Sequence, residues 1–112
     1  QWDYFMITLS SHVLDTTAGK PVAGLPVTLT CPDGRQVTAE TDADGRCKQW
    51  ADIQFEDGTY QLRFHCKDYL VSTHGESFYP FVDIHFTMAS SGNHYHVPLL
   101  ISPFGFSSYR GS

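Results

Sequence analysis

Several short segments of this chain alternate apolar and polar side chains with a period of two residues. Residues 59–66 are the clearest example, because Tyr60, Leu62 and Phe64 are separated by single polar residues. Successive side chains of a β-strand point to opposite faces, so this period indicates a strand with one buried face. The predicted strands are residues 4–14, 25–31, 35–41, 59–66, 82–88 and 94–102, with a last one from 104 towards 109.

Turn-forming residues separate these segments, and residues 90–93 are predicted to form a hairpin turn. The segment 35–41 is more polar than the others and is predicted to lie at a sheet edge. Residues 67–74 form the one predicted helix, which stops at Gly75. Short strands with regular turns are typical of a sandwich or barrel, so the predicted fold is all-β with one short helix.

The 112 residues predict a single domain over 1–112, with residues 1–5 as a possible extension. A net charge of −5 argues against a nucleic-acid partner. No apolar run approaches the ~20 residues that a membrane-spanning helix needs. The three cysteines form no CxxC pair, which indicates reduced thiols and a cytoplasmic protein. The periplasm is the alternative if a signal peptide has been removed.

The segment 94–102 differs from the others because neither of its faces is plainly polar. One face is apolar throughout, and the other carries His94, His96, Pro98 and Leu100. A strand with two such faces is usually covered on both. In a sandwich of this size, the second cover is predicted to be another subunit.

The candidate chemistry rests on histidine and arginine. His12 falls on the polar face of the first strand, and Arg46 follows the turn 42–45, which is predicted to be a tight turn rather than a calcium loop. Histidine titrates near neutral pH, so these side chains suit general acid–base hydrolysis by an activated water. Cys47 has no recognisable partner base, which argues against a cysteine nucleophile.

His94 and His96 leave a second interpretation open. Two imidazoles ~7 Å apart on one strand face can bind zinc when a third ligand comes from another strand. The sequence supplies no acidic residue beside them and no CxxC or HExxH motif. The remaining histidines show no pattern and are predicted to lie on the surface: His65, His74 and His85.

Three separated motifs, in order, resemble those of the 5-hydroxyisourate hydrolase, or transthyretin-like, family. They are HVLDTTAGKP at 12–21, TDADGR at 41–46, and HYHVPLLISP at 94–103 followed by YRGS at 109–112. The resemblance runs from about Met6 to Ser112. It implies a transthyretin-type β-sandwich of two four-stranded sheets with a short helix. It also implies a homotetramer with active sites at the dimer–dimer interface.

The activity that this resemblance implies is the hydrolysis of 5-hydroxyisourate to 2-oxo-4-hydroxy-4-carboxy-5-ureidoimidazoline in urate breakdown. A cyclic amide of the six-membered ring opens, and no metal or organic cofactor is expected. The family's catalytic histidines and arginine fall on His12, His96 and Arg46. Its terminal motif makes Tyr109 and Ser112 substrate-binding candidates.

Transthyretin itself, a hormone carrier on the same fold, resembles this chain in its Val-Leu-Asp and Ser-Pro segments. It lacks the two histidines, the arginine and the YRGS terminus, and this difference favours the enzyme over the carrier. One departure from the hydrolase pattern is that Phe104 and Phe106 stand where relatives often have tyrosine. This change removes hydroxyls but keeps the ring volume, so it affects packing rather than the proposed chemistry.

Overall fold

A computed structural model of the protein describes residues 6–89 and 93–112. Within these ranges the chain forms nine strands and one helix. In chain order they are β1 (Thr8–Asp15), β2 (Lys20–Pro21), β3 (Pro26–Thr30), β4 (Gln36–Glu40), β5 (Arg46–Cys47), β6 (Gly58–Phe64), α1 (Lys67–His74), β7 (Val82–Met88), β8 (His94–Ser102) and β9 (Gly105–Ser108). In the same ranges, no helix is long and apolar enough to cross a bilayer.

The strands form two sheets. The first sheet runs in the order β2-β1-β8-β9, and β5 also pairs with β1. The β1–β8 pair is parallel, and the other pairs of this sheet are antiparallel. The second sheet is antiparallel and runs in the order β4-β3-β6-β7. The all-β fold with one short helix is therefore confirmed, as is the edge position of the polar strand β4. Two four-stranded sheets were expected, but the first sheet has five strands because the two-residue strand β5 also pairs with β1.

The main differences from the sequence prediction concern very short or terminal elements. β2 and β5 have two residues each, too few to show an alternating pattern. β2 falls in a predicted turn cluster, residues 15–21, and β5 directly follows the predicted turn 42–45, where no strand was predicted. β1 starts at Thr8 and ends at Asp15, whereas the prediction started at residue 4. Residues 1–5 and most of the predicted hairpin turn, residues 90–92, lie outside the described residues.

The hydrophobic core lies between the two sheets. It includes Val13 of β1, Leu29 of β3, Leu62 of β6 and Leu99 of β8, each with no exposed surface. Burying a side chain of this kind stabilises the fold by ~1.5–3 kcal/mol. The burial of the apolar face of each strand is therefore the main interaction that holds the two sheets together. All three cysteines are buried and free of disulfides, as predicted.

The side of the first sheet that points away from the core is called the outer face below. Every second residue of β1 is buried, and Thr8, Ser10 and His12 fall on the outer face between them. In β8 the inward residues are buried as predicted, while His96 on the outer face is half-buried. The sheet thus separates an apolar inner side from an outer side that carries the candidate residues.

Candidate active site

His12 and Arg46 are brought together by the pairing of β5 with β1. The two residues are directly opposite each other in an antiparallel register, so their side chains share the outer face. The turn before Arg46 is held by Asp42, whose Oδ1 accepts the N–H groups of Asp44 at 2.8 Å and of Arg46 at 3.0 Å. The prediction of a tight turn is therefore confirmed.

Gly45 allows this turn to pack against β1. Its φ of +78° lies in the left-handed region, and a Cβ at this position would lie 2.7 Å from the carbonyl oxygen of Val13. Only glycine combines this backbone conformation with so close an approach. The glycine therefore fixes the distance between β1 and the residue that follows the turn, Arg46.

The His12 ring has a defined orientation. Its Nε2 lies 2.9 Å from the backbone carbonyl oxygen of Asp44, which can only accept a hydrogen bond. Nε2 therefore carries the hydrogen, and in the neutral ring Nδ1 carries the lone pair. His12 can use Nδ1 to accept a proton.

His94 and His96 are held by hydroxyl groups of the neighbouring strand β1. In the parallel register, Thr8 lies opposite His94 and Ser10 lies opposite His96. Thr8 Oγ1 is 2.6 Å from His94 Nδ1, and Ser10 Oγ is 3.0 Å from His94 Nε2 and 2.7 Å from His96 Nδ1. Both nitrogens of His94 and one nitrogen of His96 are thus hydrogen-bonded to hydroxyls.

Burial and positive charge act together on His96. Burial lowers the pKa of its imidazole, and the positive charges of Arg46, His12 and His94 lower that pKa further. A hydrogen bond to the backbone of Ser10 acts in the opposite direction. The ring of His96 is therefore neutral at physiological pH. Arg46, His12 and His94 affect the pKa of His96 because they lie close to its ring, so these side chains belong to one site. Together with the hydroxyl residues they are called the outer-face cluster below: Thr8, Ser10, His12, Arg46, His94 and His96.

The C-terminal segment reaches the outer-face cluster through Gly111. Its N–H donates to the backbone carbonyl of His96 at 2.7 Å. A Cβ on Gly111 would lie 2.4 Å from Cδ2 of the His96 ring, so this position has room only for glycine. Ser112 follows directly. Among the described residues, no hydrogen bond or ion pair joins Ser112 to His12, Arg46 or His96 within one chain.

Tyr109 lies elsewhere, at the open edge of the sandwich between β7 and β9. It lines a cavity of about 350 Å³ together with Phe86, Tyr95 and Arg110. Its side chain is 61% exposed, and the guanidinium of Arg110 lies 4.4 Å from the centre of the Tyr95 ring. One chain therefore gathers His12, Arg46 and His96 but leaves Tyr109 apart from them.

The structure does not support chemistry by Cys47. Burial raises the pKa of its thiol to about 11, with a further contribution from the negative charge of Asp42. The thiol thus stays protonated at neutral pH, and a thiol is a poor nucleophile.

The second alternative is a metal site. The part of the chain that the structure describes contains no group of three or more His, Cys, Asp or Glu side chains that could hold a metal ion.

One histidine prediction is wrong. His74 was predicted to lie on the surface, but its Nε2 donates to Oδ2 of Asp15 at 2.7 Å, and its side chain is only 16% exposed. The hydroxyl of Tyr69 donates to the same oxygen at 2.6 Å. These three residues are called the Asp15 cluster below. His65 and His85 are exposed, as predicted.

Sequence reasoning also missed Ser10 and Thr8 as partners of the histidines. The period of β1 placed both on the same face as His12, but their partners lie on β8, more than 80 residues further along the chain. Only the register between the two strands brings them together. A matching spacing of two residues in both strands was the only signal in the sequence.

Comparison with known proteins gives concordant results. The profile of the HIUase/Transthyretin family matches residues 9–111. A protein of Mesorhizobium japonicum named 5-hydroxyisourate hydrolase is 46% identical, over 93% of this chain and 91% of its own length. The solved structure of Klebsiella pneumoniae 5-hydroxyisourate hydrolase has a TM-score of 0.83 and 33% identity, with 94% of this chain and 99% of the other covered.

A transthyretin shares the fold equally well. The crystal structure of transthyretin from Sparus aurata also has a TM-score of 0.83, but with 25% identity, covering 93% of this chain and 96% of the other. Backbone similarity therefore does not separate the hydrolases from the transthyretins. With a family profile that spans most of its length and a relative 46% identical over 93% of it, the chain belongs to the HIUase/Transthyretin family.

Proposed function

We propose that this protein is a hydrolase that converts 5-hydroxyisourate to 2-oxo-4-hydroxy-4-carboxy-5-ureidoimidazoline in urate breakdown. The names of relatives from bacteria and the mouse support this activity, since they are called 5-hydroxyisourate hydrolases at 40–46% identity. The observation that carries the proposal is the joint position of His12, Arg46 and His96 on the outer face. A carrier has no need of two imidazoles and a guanidinium aimed at one site.

In the proposed reaction, water attacks the carbonyl carbon of the cyclic amide. His12 takes a proton from this water at Nδ1, the nitrogen left with the lone pair by the hydrogen bond to Asp44. The new C–O bond forms a tetrahedral intermediate, whose C–N bond then breaks to open the ring. His96 orients the water or donates a proton to the leaving nitrogen.

Arg46 binds the planar, anionic substrate. Its guanidinium is exposed on the outer face and no carboxylate forms a salt bridge with it among the described residues. A guanidinium offers several donors in a fixed plane, which fits the oxygens of such a ring. A single well-placed donor to a developing oxyanion is worth ~3–4 kcal/mol of transition-state stabilisation.

The proposed working unit is a homotetramer with active sites at the dimer–dimer interface. The site of one chain is an open sheet face, on which Pro98 is buried and Leu100 is half-buried beside the histidines. A second subunit over this face would exclude water and strengthen the electrostatic contacts to the substrate. Tyr109 and Ser112 are proposed to bind substrate in that assembly. The expected compartment is the cytoplasm.

The direct test uses 5-hydroxyisourate made freshly from urate, whose ultraviolet absorbance is followed with and without the protein. We expect the wild-type protein to accelerate the decay over the spontaneous rate, and His12→Ala to lose most of this acceleration. His65→Ala is the matched control, because His65 is exposed and its ring bonds to the hydroxyl of Thr28 on the second sheet, away from the outer face. Stoichiometric binding of a flat aromatic ligand without turnover would instead indicate a carrier. Loss of activity on exhaustive chelation would indicate a zinc hydrolase.

A further inference from the structure

The outer-face cluster contains an unbroken line of hydrogen-bonding groups that ends at His96. It runs from Thr8 Oγ1 to His94 Nδ1, from His94 Nε2 to Ser10 Oγ, and from Ser10 Oγ to His96 Nδ1, with distances of 2.6, 3.0 and 2.7 Å. All three are within hydrogen-bond distance. One end, Thr8 and His94, is exposed to solvent, and the other end, His96, is half-buried.

The tautomers of His94 and His96 depend on each other, because the Ser10 hydroxyl between them has a single hydrogen to donate. A neutral imidazole has one N–H and one lone pair, and a hydroxyl can donate only one hydrogen. Two head-to-tail arrangements therefore satisfy the line. In the first, Thr8 donates to His94, His94 to Ser10, and Ser10 to His96, so that Nε2 of His96 carries a hydrogen. In the second, His96 donates to Ser10, Ser10 to His94, and His94 to Thr8, so that Nε2 of His96 carries the lone pair.

We propose that Ser10 and His94 are positioning residues that form a proton relay between solvent and His96 in the proposed hydrolysis. The inference rests on the proposed function. When Nε2 of neutral His96 gives its proton to the leaving nitrogen, Nδ1 takes the hydroxyl proton of Ser10. Ser10 takes the Nε2 proton of His94, His94 takes the proton of Thr8, and Thr8 takes one from solvent.

The relay resets when these transfers run in reverse. His12, which holds the proton taken from the attacking water, returns it through the next active-site water to Nε2 of His96. The relay then passes one proton back to solvent at Thr8. Over one turnover one water is consumed, one C–O bond forms and one C–N bond breaks, and the relay itself is unchanged.

The charge on the outer face explains why a neutral relay suits this site. Arg46 places positive charge near His96, His12 and His94 add to it when they are protonated, and no negative group is among the charges that act on the ring of His96. A doubly protonated His96 is therefore disfavoured as a proton donor. Tautomer exchange through Ser10 lets His96 donate a proton without adding a further charge to the site.

Gly111 keeps the free end of the ring in place. Nδ1 of His96 is bonded to the hydroxyl of Ser10, and Nε2 lies on the far side of the ring from that bond. Gly111 packs against Cδ2, the carbon next to Nε2. Ser10 and Gly111 thus hold opposite sides of the ring, so that Nε2 has one direction in which to reach a substrate.

The test compares Ser10→Ala with Ser10→Thr in the full-length protein, measuring kcat and KM for fresh 5-hydroxyisourate. We expect Ser10→Ala to lower kcat about 10-fold to 100-fold with KM nearly unchanged, since general acid catalysis typically contributes ~10²–10⁴-fold. Ser10→Thr keeps the hydroxyl and should restore kcat to within about threefold of wild type. Ser72→Ala, on the exposed side of α1, is the control for an ordinary serine replacement.

A proton inventory separates a relay from simple support of the ring. In mixtures of H₂O and D₂O, kcat of the wild type should fall along a curve, because several protons move together, and kcat of Ser10→Ala should fall linearly. A decrease below threefold in Ser10→Ala, or equal decreases in Ser10→Ala and Ser10→Thr, would overturn the relay. If Ser10→Ala does not fold, His94→Phe is judged by the same threefold limit. A wild type without activity would overturn the proposed function instead.

Discussion

Strand β1 carries two histidine clusters on opposite faces, and their surroundings differ. On the inner side, Asp15 is fully buried and accepts hydrogen bonds from His74 and Tyr69. On the outer face, His96 is surrounded by positive charge and bonds to a hydroxyl. A histidine paired with a buried carboxylate holds two elements together, whereas a neutral histidine near cations is available for proton transfer.

The Asp15 cluster joins β1 to the helix and to the turn after β1. Burial alone would raise the pKa of Asp15, but hydrogen bonds from Tyr69, from the N–H of Ala18 and from His74 bring it below its usual value. Burial and the hydrogen bond to Asp15 raise the pKa of Tyr69 to about 12. The hydrogen bonds of the Asp15 carboxylate therefore join β1 to α1 and to the turn 16–18, and none of them reaches the outer face.

The largest predicted effect is on stability, from Asp15→Ala. This change leaves the Tyr69 hydroxyl and the N–H groups of Thr17 and Ala18 without their acceptor. Each buried hydrogen-bonding group left without its partner costs about 1–3 kcal/mol in the free energy of unfolding, so we expect a total loss of about 3 kcal/mol or more. Urea unfolding at a fixed protomer concentration measures this loss. Asp15→Asn keeps one acceptor oxygen and should lose less unfolding free energy than Asp15→Ala. An unfolding free energy of Asp15→Ala within about 1 kcal/mol of the wild-type value would contradict a structural role for the Asp15 cluster.

The next effect is on activity, from Arg46→Ala. Arg46 is exposed and makes no salt bridge within the described residues, so the thermal midpoint should stay close to that of wild type. The rate constant kcat should fall about 10²–10³-fold, as expected for the loss of one oxyanion donor. Steady-state assays with fresh 5-hydroxyisourate provide the measurement. A stable variant with wild-type kcat would remove Arg46 from the proposed site.

Gly111→Ala should have a smaller effect, again on activity. The added Cβ would lie 2.4 Å from His96 Cδ2, so the ring or the C-terminal segment must move. Misplacing a catalytic group by about 1 Å can reduce the rate ~10²-fold. We expect a loss of about 10-fold to 100-fold in kcat with little change in unfolding free energy. Gly105→Ala serves as the control glycine variant, because Gly105 does not lie in the left-handed region and an added Cβ would make only an ordinary contact of 3.7 Å with Oγ of Ser102.

The smallest effects are those of pH, and the two clusters should respond in different ranges. The lowered pKa of Asp15 stabilises the fold above the ordinary carboxyl pKa of 3.8, and this stability is lost as pH falls through the lower, folded-state value. A plot of unfolding free energy against pH should therefore fall in acid, and the fall should be shallower in Asp15→Asn. An equal fall in both proteins would mean that Asp15 does not cause it.

On the outer face, the pKa of His96 is lowered from 6.5, so the ring stays neutral down to a pH below that value. A histidine of this kind contributes no stability at neutral pH and destabilises the fold as pH falls below 6.5, because the unfolded state then binds more protons. An NMR titration of the His96 ring should show this pKa, and Arg46→Gln should raise it. A pKa that does not move in Arg46→Gln would contradict the electrostatic account.

Much of the fold could be predicted from the sequence because the period of two is strong where strands are long. The predicted ranges of α1, β7 and β8 agree with the structure at both ends. The outer-face position of His12 followed from the same period, and the choice of Arg46 and His96 followed from the family resemblance. Local pattern and sequence motif thus supplied the central residues.

The remaining features depend on contacts between distant parts of the chain. Asp15 and His74 are 59 residues apart in sequence, so nothing near either residue indicates the pair. The relay through Ser10 depends on the parallel register of β1 with β8, which neither strand reveals alone. The close approach of Gly111 to His96 likewise arises only because the C-terminal segment pairs with β8 through an antiparallel bridge between these two residues.

The most direct test of the account is the initial rate of 5-hydroxyisourate decay for His96→Ala and His74→Ala at equal concentrations of folded protein. The two variants remove the same side chain from opposite sides of one sheet. We predict that His96→Ala loses at least about 10²-fold in rate, as expected for a proton-transfer group, and that His74→Ala keeps nearly the wild-type rate per folded molecule. A His96→Ala protein as fast as wild type, or equal losses in both variants, would contradict the assignment of the chemistry to the outer face.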